Sequence, residues 1–195
     1  MATRVESQVR TRRWTRAEYD RLILEGLLDE DEPIELLDGQ LVVREPESAG
    51  HSAAIWLVQA ALRRAFGRGW LVRGPAPVAL DPASEPAPDV TVVRGSPRDY
   101  ARDHPARPVL IVEVARSSVL RDRRLKGGLY ARAGVADYWI VNLVDRGLEV
   151  YREPVRSPSA PSGWKYARLA RLGAGAVASP LARPRARIRV ADLLP

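Results

Sequence analysis

The segment order of this chain predicts an α/β layered domain with a mixed central sheet. Three observations carry that expectation. Residues 90–94 and 109–114 are continuous apolar runs, the pattern of central strands covered on both faces. Helical periodicity precedes and follows them, so helices must cover those faces. A two-residue turn signal, Asp38-Gly39, sits between two β-rich stretches and reads as a hairpin. With 195 residues, 46% apolar and 28% charged, the chain is large enough to bury one real core.

The elements follow in order. Residues 1–13 are polar and basic without periodicity and read as a loose arm. Thr15 followed by Glu18 forms a capping box that opens a helix over about 15–26. An acidic run, 29–32, leads to the hairpin IELLDGQLVVRE. Ser48 is placed to cap a helix that runs to Phe66 and stops at Gly67, with Ile55, Val58, Leu62 and Phe66 as its apolar stripe. Residues 70–73 and 78–80 are short strand candidates, and a Pro-rich loop then delivers the chain to Asp89. Ser117 or Ser118 caps a third helix over about 119–133, closed by Gly134. Residues 137–142 and 148–152 pair around Asp145-Arg146-Gly147. The domain expectation is thus an arm (1–13), a core (14–153) and a basic Pro/Arg-rich extension (154–195) packed on the same domain, with one strand-like alternation in RARIRV.

Composition removes several classes of function. The chain has no cysteine, so disulfide frameworks, thiolate zinc sites and cysteine nucleophiles are excluded. No apolar run approaches the roughly 20 residues of a membrane span, and residues 1–14 do not read as a secretory signal. The expected setting is reducing and cytoplasmic, away from membranes. The net charge of +7 belongs wholly to residues 154–195, which hold eight basic residues and one acid. Arginine outnumbers lysine 29 to 2. That surplus reads either as a composition bias of the genome or as an electrostatic footprint for phosphate, with Arg183, Arg185 and Arg187 as the candidate nucleic-acid contacts.

Chemistry is expected where acids meet apolar strands. Asp89 stands at the mouth of one strand and Glu113 lies inside the other, in VLIVEVA. A carboxylate in such a run needs a cation, a hydrogen bond or a metal. One reading pairs Glu113 with an arginine. The other lets two neighbouring strands present Asp89 and Glu113 together as hard oxygen ligands suited to Mg²⁺ or Mn²⁺. Asp122, Lys126 and Tyr130 are spaced i, i+4, i+8 and share one helix face. His51 reads either as a satisfied core histidine or as an auxiliary site residue.

Pro88-Asp89 followed by Glu113-Val114 resembles the PD-(D/E)XK nuclease superfamily. IELLDGQLV, the His51 helix, PDVTVVRG, VLIVEVARSS, the Asp122/Lys126/Tyr130 set and GVADYWIV resemble, in that order, the Uma-two family of restriction-endonuclease-like proteins. The resemblance runs from about residue 14 to 153. It implies a restriction-endonuclease-like αβββαβ core with a mixed central sheet and flanking helices. It also implies a metal-dependent endonuclease acting on nucleic acid, DNA before RNA, as a monomer or a homodimer. In that scheme Asp89, Glu113 and the backbone carbonyl of Val114 hold Mg²⁺ or Mn²⁺. Glu35 is an additional acid for a second metal or a metal-bound water. Ala115 stands where the superfamily lysine usually lies, and Lys126 on the following helix matches the family's relocated lysine. Gly127-Gly128 is expected to loosen the segment that carries Lys126. The rival expectation is a catalytically silent module of the same fold that binds nucleic acid or a protein through its basic tail.

Overall fold

A computed structural model describes residues 11–28, 33–44 and 48–195. The arm expected at 1–13 lies mostly outside those residues, as does the acidic run 29–32. Of the arm, Arg12 pairs with Glu18 and Arg13 donates to the Asp38 carbonyl at 2.9 Å, so its last residues are tied to the domain.

Helix α1 (Arg16–Leu24) starts at the capping box expected of Thr15 and Glu18. Strands β1 (Ile34–Leu37) and β2 (Gln40–Val43) form the hairpin. Its turn has positive φ at both central residues, Asp38 (50°) and Gly39 (78°), as a type I′ turn requires. Helix α2 (Ala49–Phe66) is capped by the Ser48 side chain and ends at Gly67. β3 (Trp70–Arg73), β4 (Val90–Arg94), β5 (Leu110–Ala115), β6 (Asp137–Asn142), β7 (Gly147–Arg156) and β8 (Trp164–Gly173) then make one six-stranded sheet in that order. Only β5 and β6 are parallel, so the sheet is mixed as expected.

The β5–β6 crossover consists of α3 (Val119–Arg121), a π-helical turn (Asp122–Lys126) and α4 (Gly127–Arg132), which run on as a single helix. Ser118 occupies the cap position but caps nothing; its hydroxyl donates to Asp122 Oδ2 at 2.6 Å.

Two layers cover the sheet. Val90, Val92, Val112, Val114 and Trp139 pack under α2, together with Ile188, Val190 and Leu193 from the C-terminal segment. Ile111, Ala115, Tyr138 and Ile140 face the other way, against Tyr130 of α4. Alternation along β5 therefore turns Glu113 toward the α4 side.

The structure corrects four expectations. Residues 78–80 join no strand; Val78 and Ala79 spend their N–H groups on the Pro86 and Pro105 carbonyls. β8 was not legible in the sequence. It is an edge strand with most side chains exposed, so its interleaved arginines hide the β pattern. The sheet also continues through residue 153, because β7 crosses it and β8 pairs with β7 along its length. RARIRV yields only β10 (Ile188–Arg189), which pairs with the two-residue β9 (Val177–Ala178). Fourth, Gly127-Gly128 is not an open break in the helix, because both glycines are buried. A Cβ on Gly127 would stand 3.2 Å from the Asp122 carbonyl oxygen, and one on Gly128 2.4 Å from Ser162 Oγ. Gly128 thus lets the helix approach Ser162 closely, while the crowding at Gly127 comes from the π turn of its own helix. No helix among the described residues is long and apolar enough to cross a membrane.

Candidate active site

Four elements deliver the site. Asp89 comes from the residue before β4, Glu113 from the middle of β5, Glu35 from β1, and Lys126 from the end of the π turn. All four side chains are buried. Lys126 Nζ lies 3.1 Å from Glu35 Oε1 and 3.1 Å from Glu113 Oε1, so one ammonium joins the hairpin to the central sheet. Tyr130, one helical turn on, donates its hydroxyl to the same Glu113 oxygen at 2.5 Å. The π turn adds a residue to the helix and shifts the face that follows it. Such turns recur at functional sites.

Backbone amides orient the carboxylates. Val114 N–H donates to Asp89 Oδ2 at 2.7 Å and Ala87 N–H to Glu35 Oε1 at 2.9 Å. His51 Nε2 lies 3.4 Å from Asp89 Oδ2, and Arg44 Nη2 is 3.3 Å from Asp89 Oδ1. Glu113 Oε2 has one weak donor, the Asp89 N–H at 3.4 Å. Each acid of the pair thus turns one oxygen toward the scaffold and keeps the other with spare acceptor capacity.

Charge balance sets the proton affinities. Burial pushes the Glu113 carboxyl up to about 8; Lys126 opposes this, while Asp89, Asp122 and Glu35 add to it. Asp89 goes the other way. Burial raises it too, but His51, Lys126 and the Val114 N–H outweigh burial and hold it below the usual range. Burial works against the Lys126 ammonium, yet the acids around it, Glu113 and Glu35 first, keep its pKa above the ordinary value. The surrounding acids thus favour the charged form of Lys126. Burial raises Asp122, with Lys126 and Ser118 pulling back.

A cavity of about 130 Å³ opens beside these groups. Asp89, Glu113, Val114, Asp122 and Lys126 line it together with Arg44, Ser48, His51 and the turn Arg116, Ser117, Ser118 and Arg121. Tyr130 lies behind it, and Glu35 reaches it through Lys126. Seven of the residues singled out in the sequence (Glu35, His51, Asp89, Glu113, Asp122, Lys126 and Tyr130) are brought together with Val114. Arg183, Arg185 and Arg187 are not. Arg183 donates to the Phe66 carbonyl at 2.6 Å and stacks on Trp70, while Arg187 borders Ala61 and Ala65. Arg183 and Arg187 sit at the far end of α2 from His51, and an 18-residue helix spans roughly 27 Å.

A model of the Uma2 family, described as "Putative restriction endonuclease", matches residues 16–175. The chain belongs to the Uma2 family. No curated protein matches it. Four solved chains do, among them one described as a putative nuclease belonging to DUF820 from Anabaena variabilis. That chain shares 13% identity and a TM-score of 0.65, over 87% of this chain and 94% of its own. At that identity the likeness is one of fold, and it agrees with a restriction-endonuclease-like core.

Within this Uma2 fold the sequence reading missed Arg44 and Arg121. Arg44 follows a β strand in a chain with 29 arginines, so nothing marked it out. Only the register of the hairpin brings it within 3.7 Å of Glu35 as well as onto Asp89. Among the described residues no three His, Asp or Glu side chains form a metal-holding group by themselves. Two carboxylates beside the Val114 backbone make an all-oxygen donor set, which suits a small hard cation that displaces Arg44 from Asp89 Oδ1.

Proposed function

We propose that the cleft is the active site of a metal-dependent endonuclease that hydrolyses phosphodiester bonds of nucleic acid, with DNA as the expected substrate. The observation that carries this is the convergence of Asp89, Glu113 and Lys126 on one cavity that arginines also line, with Glu35 joined to it through Lys126. Asp89 Oδ1, Glu113 Oε2 and the Val114 carbonyl would hold Mg²⁺ or Mn²⁺. A divalent ion bound there would polarise the scissile phosphate and lower the pKa of a bound water.

The remaining work falls to the chain's own residues. The acids around Lys126 favour its ammonium form, so its part is electrostatic. It stands where a fixed positive charge would stabilise negative charge growing on the phosphate or orient the attacking water. Tyr130 and Lys126 hold Glu113 by Oε1 and so aim its other oxygen. His51 and the Val114 N–H do the same for Asp89. Glu35 keeps Lys126 in place and adds negative charge to the site. Ser118 holds Asp122, whose carboxyl helps to keep Lys126 charged.

One observation favours a second reading, a silent nuclease fold that only binds nucleic acid: Arg44 already neutralises Asp89 at the oxygen a metal would use. Nicking of supercoiled plasmid separates the two. Wild type with Mg²⁺, Mn²⁺ or EDTA is compared with Glu113→Gln, which keeps shape and removes charge. Metal-dependent nicking lost in the variant supports the endonuclease. Identical behaviour of the two proteins, with DNA binding retained, supports the silent module.

A further inference from the structure

We infer that Arg121 anchors a phosphate of the nucleic-acid strand adjacent to the one being cleaved; this rests on the nuclease reading and extends it to a substrate contact. The cations around the cavity differ in how they are used. Lys126 is divided between Glu35 and Glu113, Arg44 lies on Asp89, and His51 faces Asp89. Arg121 lines the same cavity, yet among the described residues it makes no hydrogen bond or ion pair, and its Nε is buried without a partner. A buried donor left unsatisfied is costly, so folded proteins rarely keep one without a use for it.

Its acidic neighbour does not take it up. The Asp122 carboxylate accepts from Ser118 at 2.6 Å and is held by the charge of Lys126; Arg121 reaches it only as a longer-range charge. What Arg121 lacks is an external anion with oxygen acceptors. A phosphodiester is such a group, and the planar fork of a guanidinium fits it better than an ammonium does. Arg121 contacts neither Asp89 nor Glu113, which places its anion beside the reaction centre. Arg116 is exposed on the same turn and lines the same cavity, so a strand leaving the centre would pass two cations. The tail arginines, at the other end of α2, cannot serve that strand segment.

The test is fluorescence anisotropy of a short labelled DNA duplex, in EDTA and in Ca²⁺, with wild type, Arg121→Ala and Arg121→Lys over a salt series. Arg121→Ala should bind about tenfold more weakly at low salt, and the slope of log affinity against log salt should fall by about one. Arg121→Lys should recover the slope and only part of the affinity. Because the native arginine has no internal partner, the thermal midpoint of Arg121→Ala should equal that of wild type or exceed it. Unchanged affinity and slope in Arg121→Ala overturn the assignment while leaving the nuclease reading intact. A lowered midpoint with an unchanged slope makes Arg121 structural and overturns it as well. Absence of DNA binding by wild type in both buffers overturns the assignment, and the plasmid assay with Glu113→Gln then decides separately on the nuclease reading.

Discussion

Glu113 and Glu149 stand in the same row of the central sheet. Each is in register with Ile140 of β6, one from the parallel side and one from the antiparallel side. They lie two strands apart, roughly 10 Å, and both are buried. Their proton affinities nevertheless diverge. Burial raises both, but Glu149 is brought down to about 2 by hydrogen bonds from Arg123, Tyr151 and Asn142, whereas Glu113 stays at about 8. Glu149 has a guanidinium of its own: Arg123 grips both its oxygens, with Nε at 3.0 Å, and Tyr151 adds a bond at 2.6 Å. Glu113 must divide one ammonium with Glu35 and has Asp89 and Asp122 for neighbours. A carboxylate with all its partners supplied holds the sheet together. One in a crowded, under-neutralised cluster is stored in a state that a further cation would relieve.

The largest effect should come from removing charge at the crowded position. Glu113→Gln should lower metal-dependent nicking by at least about a hundredfold. Its thermal midpoint without metal should stay near wild type's, because a carboxyl pushed up to about 8 is already largely protonated near neutral pH and the amide replaces a nearly neutral group. A variant that loses stability and keeps activity would reverse the roles of the two glutamates.

Glu149→Gln should do the opposite. It leaves Arg123 facing a neutral amide, and roughly 2–3 kcal/mol of unfolding free energy should be lost in denaturant titration. Nicking per folded molecule should be unchanged. Equal destabilisation by both substitutions would show that the row is uniform after all.

Acid sharpens the contrast further. The folded pKa of Glu149 lies below its ordinary value of 4.5, so the stability it contributes is complete above 4.5 and is lost as the pH falls from there toward 2. The gap between wild type and Glu149→Gln should therefore narrow across that interval, as read by urea unfolding at each pH. A gap that stays constant would mean that Arg123 does not stabilise the ionised form.

The smallest effect concerns the helix that carries Lys126. Gly128→Ala places a methyl 2.4 Å from Ser162 Oγ and should cost about 1 kcal/mol. Adding Ser162→Gly should restore most of that loss. Failure of the double variant to recover would indicate that the backbone at Trp164, 3.6 Å from the same Cβ position, limits the packing instead.

Much of this molecule was legible from residues near one another in the chain. The capping box at Thr15, the turn at Asp38-Gly39, the Ser48 cap and the apolar runs of β4 and β5 all express local chemistry: a hydroxyl that caps an amide, a glycine that tolerates positive φ, a period of two or of none. The order of short motifs identified the family and with it the acids Glu35, Asp89 and Glu113 and the lysine. What only the tertiary structure decided are relations between distant residues. Lys126 meets Glu35 from 91 positions away, Arg44 reaches Asp89 across 45, and Arg183 is diverted to Phe66 across 117. β8 belongs here too, since an edge strand is recognised by its neighbour and not by its own pattern. Among 29 arginines the sequence offers no means of telling the structural cation from the one left for a ligand. That distinction depends on which carboxylate each guanidinium reaches, and folding alone sets those distances.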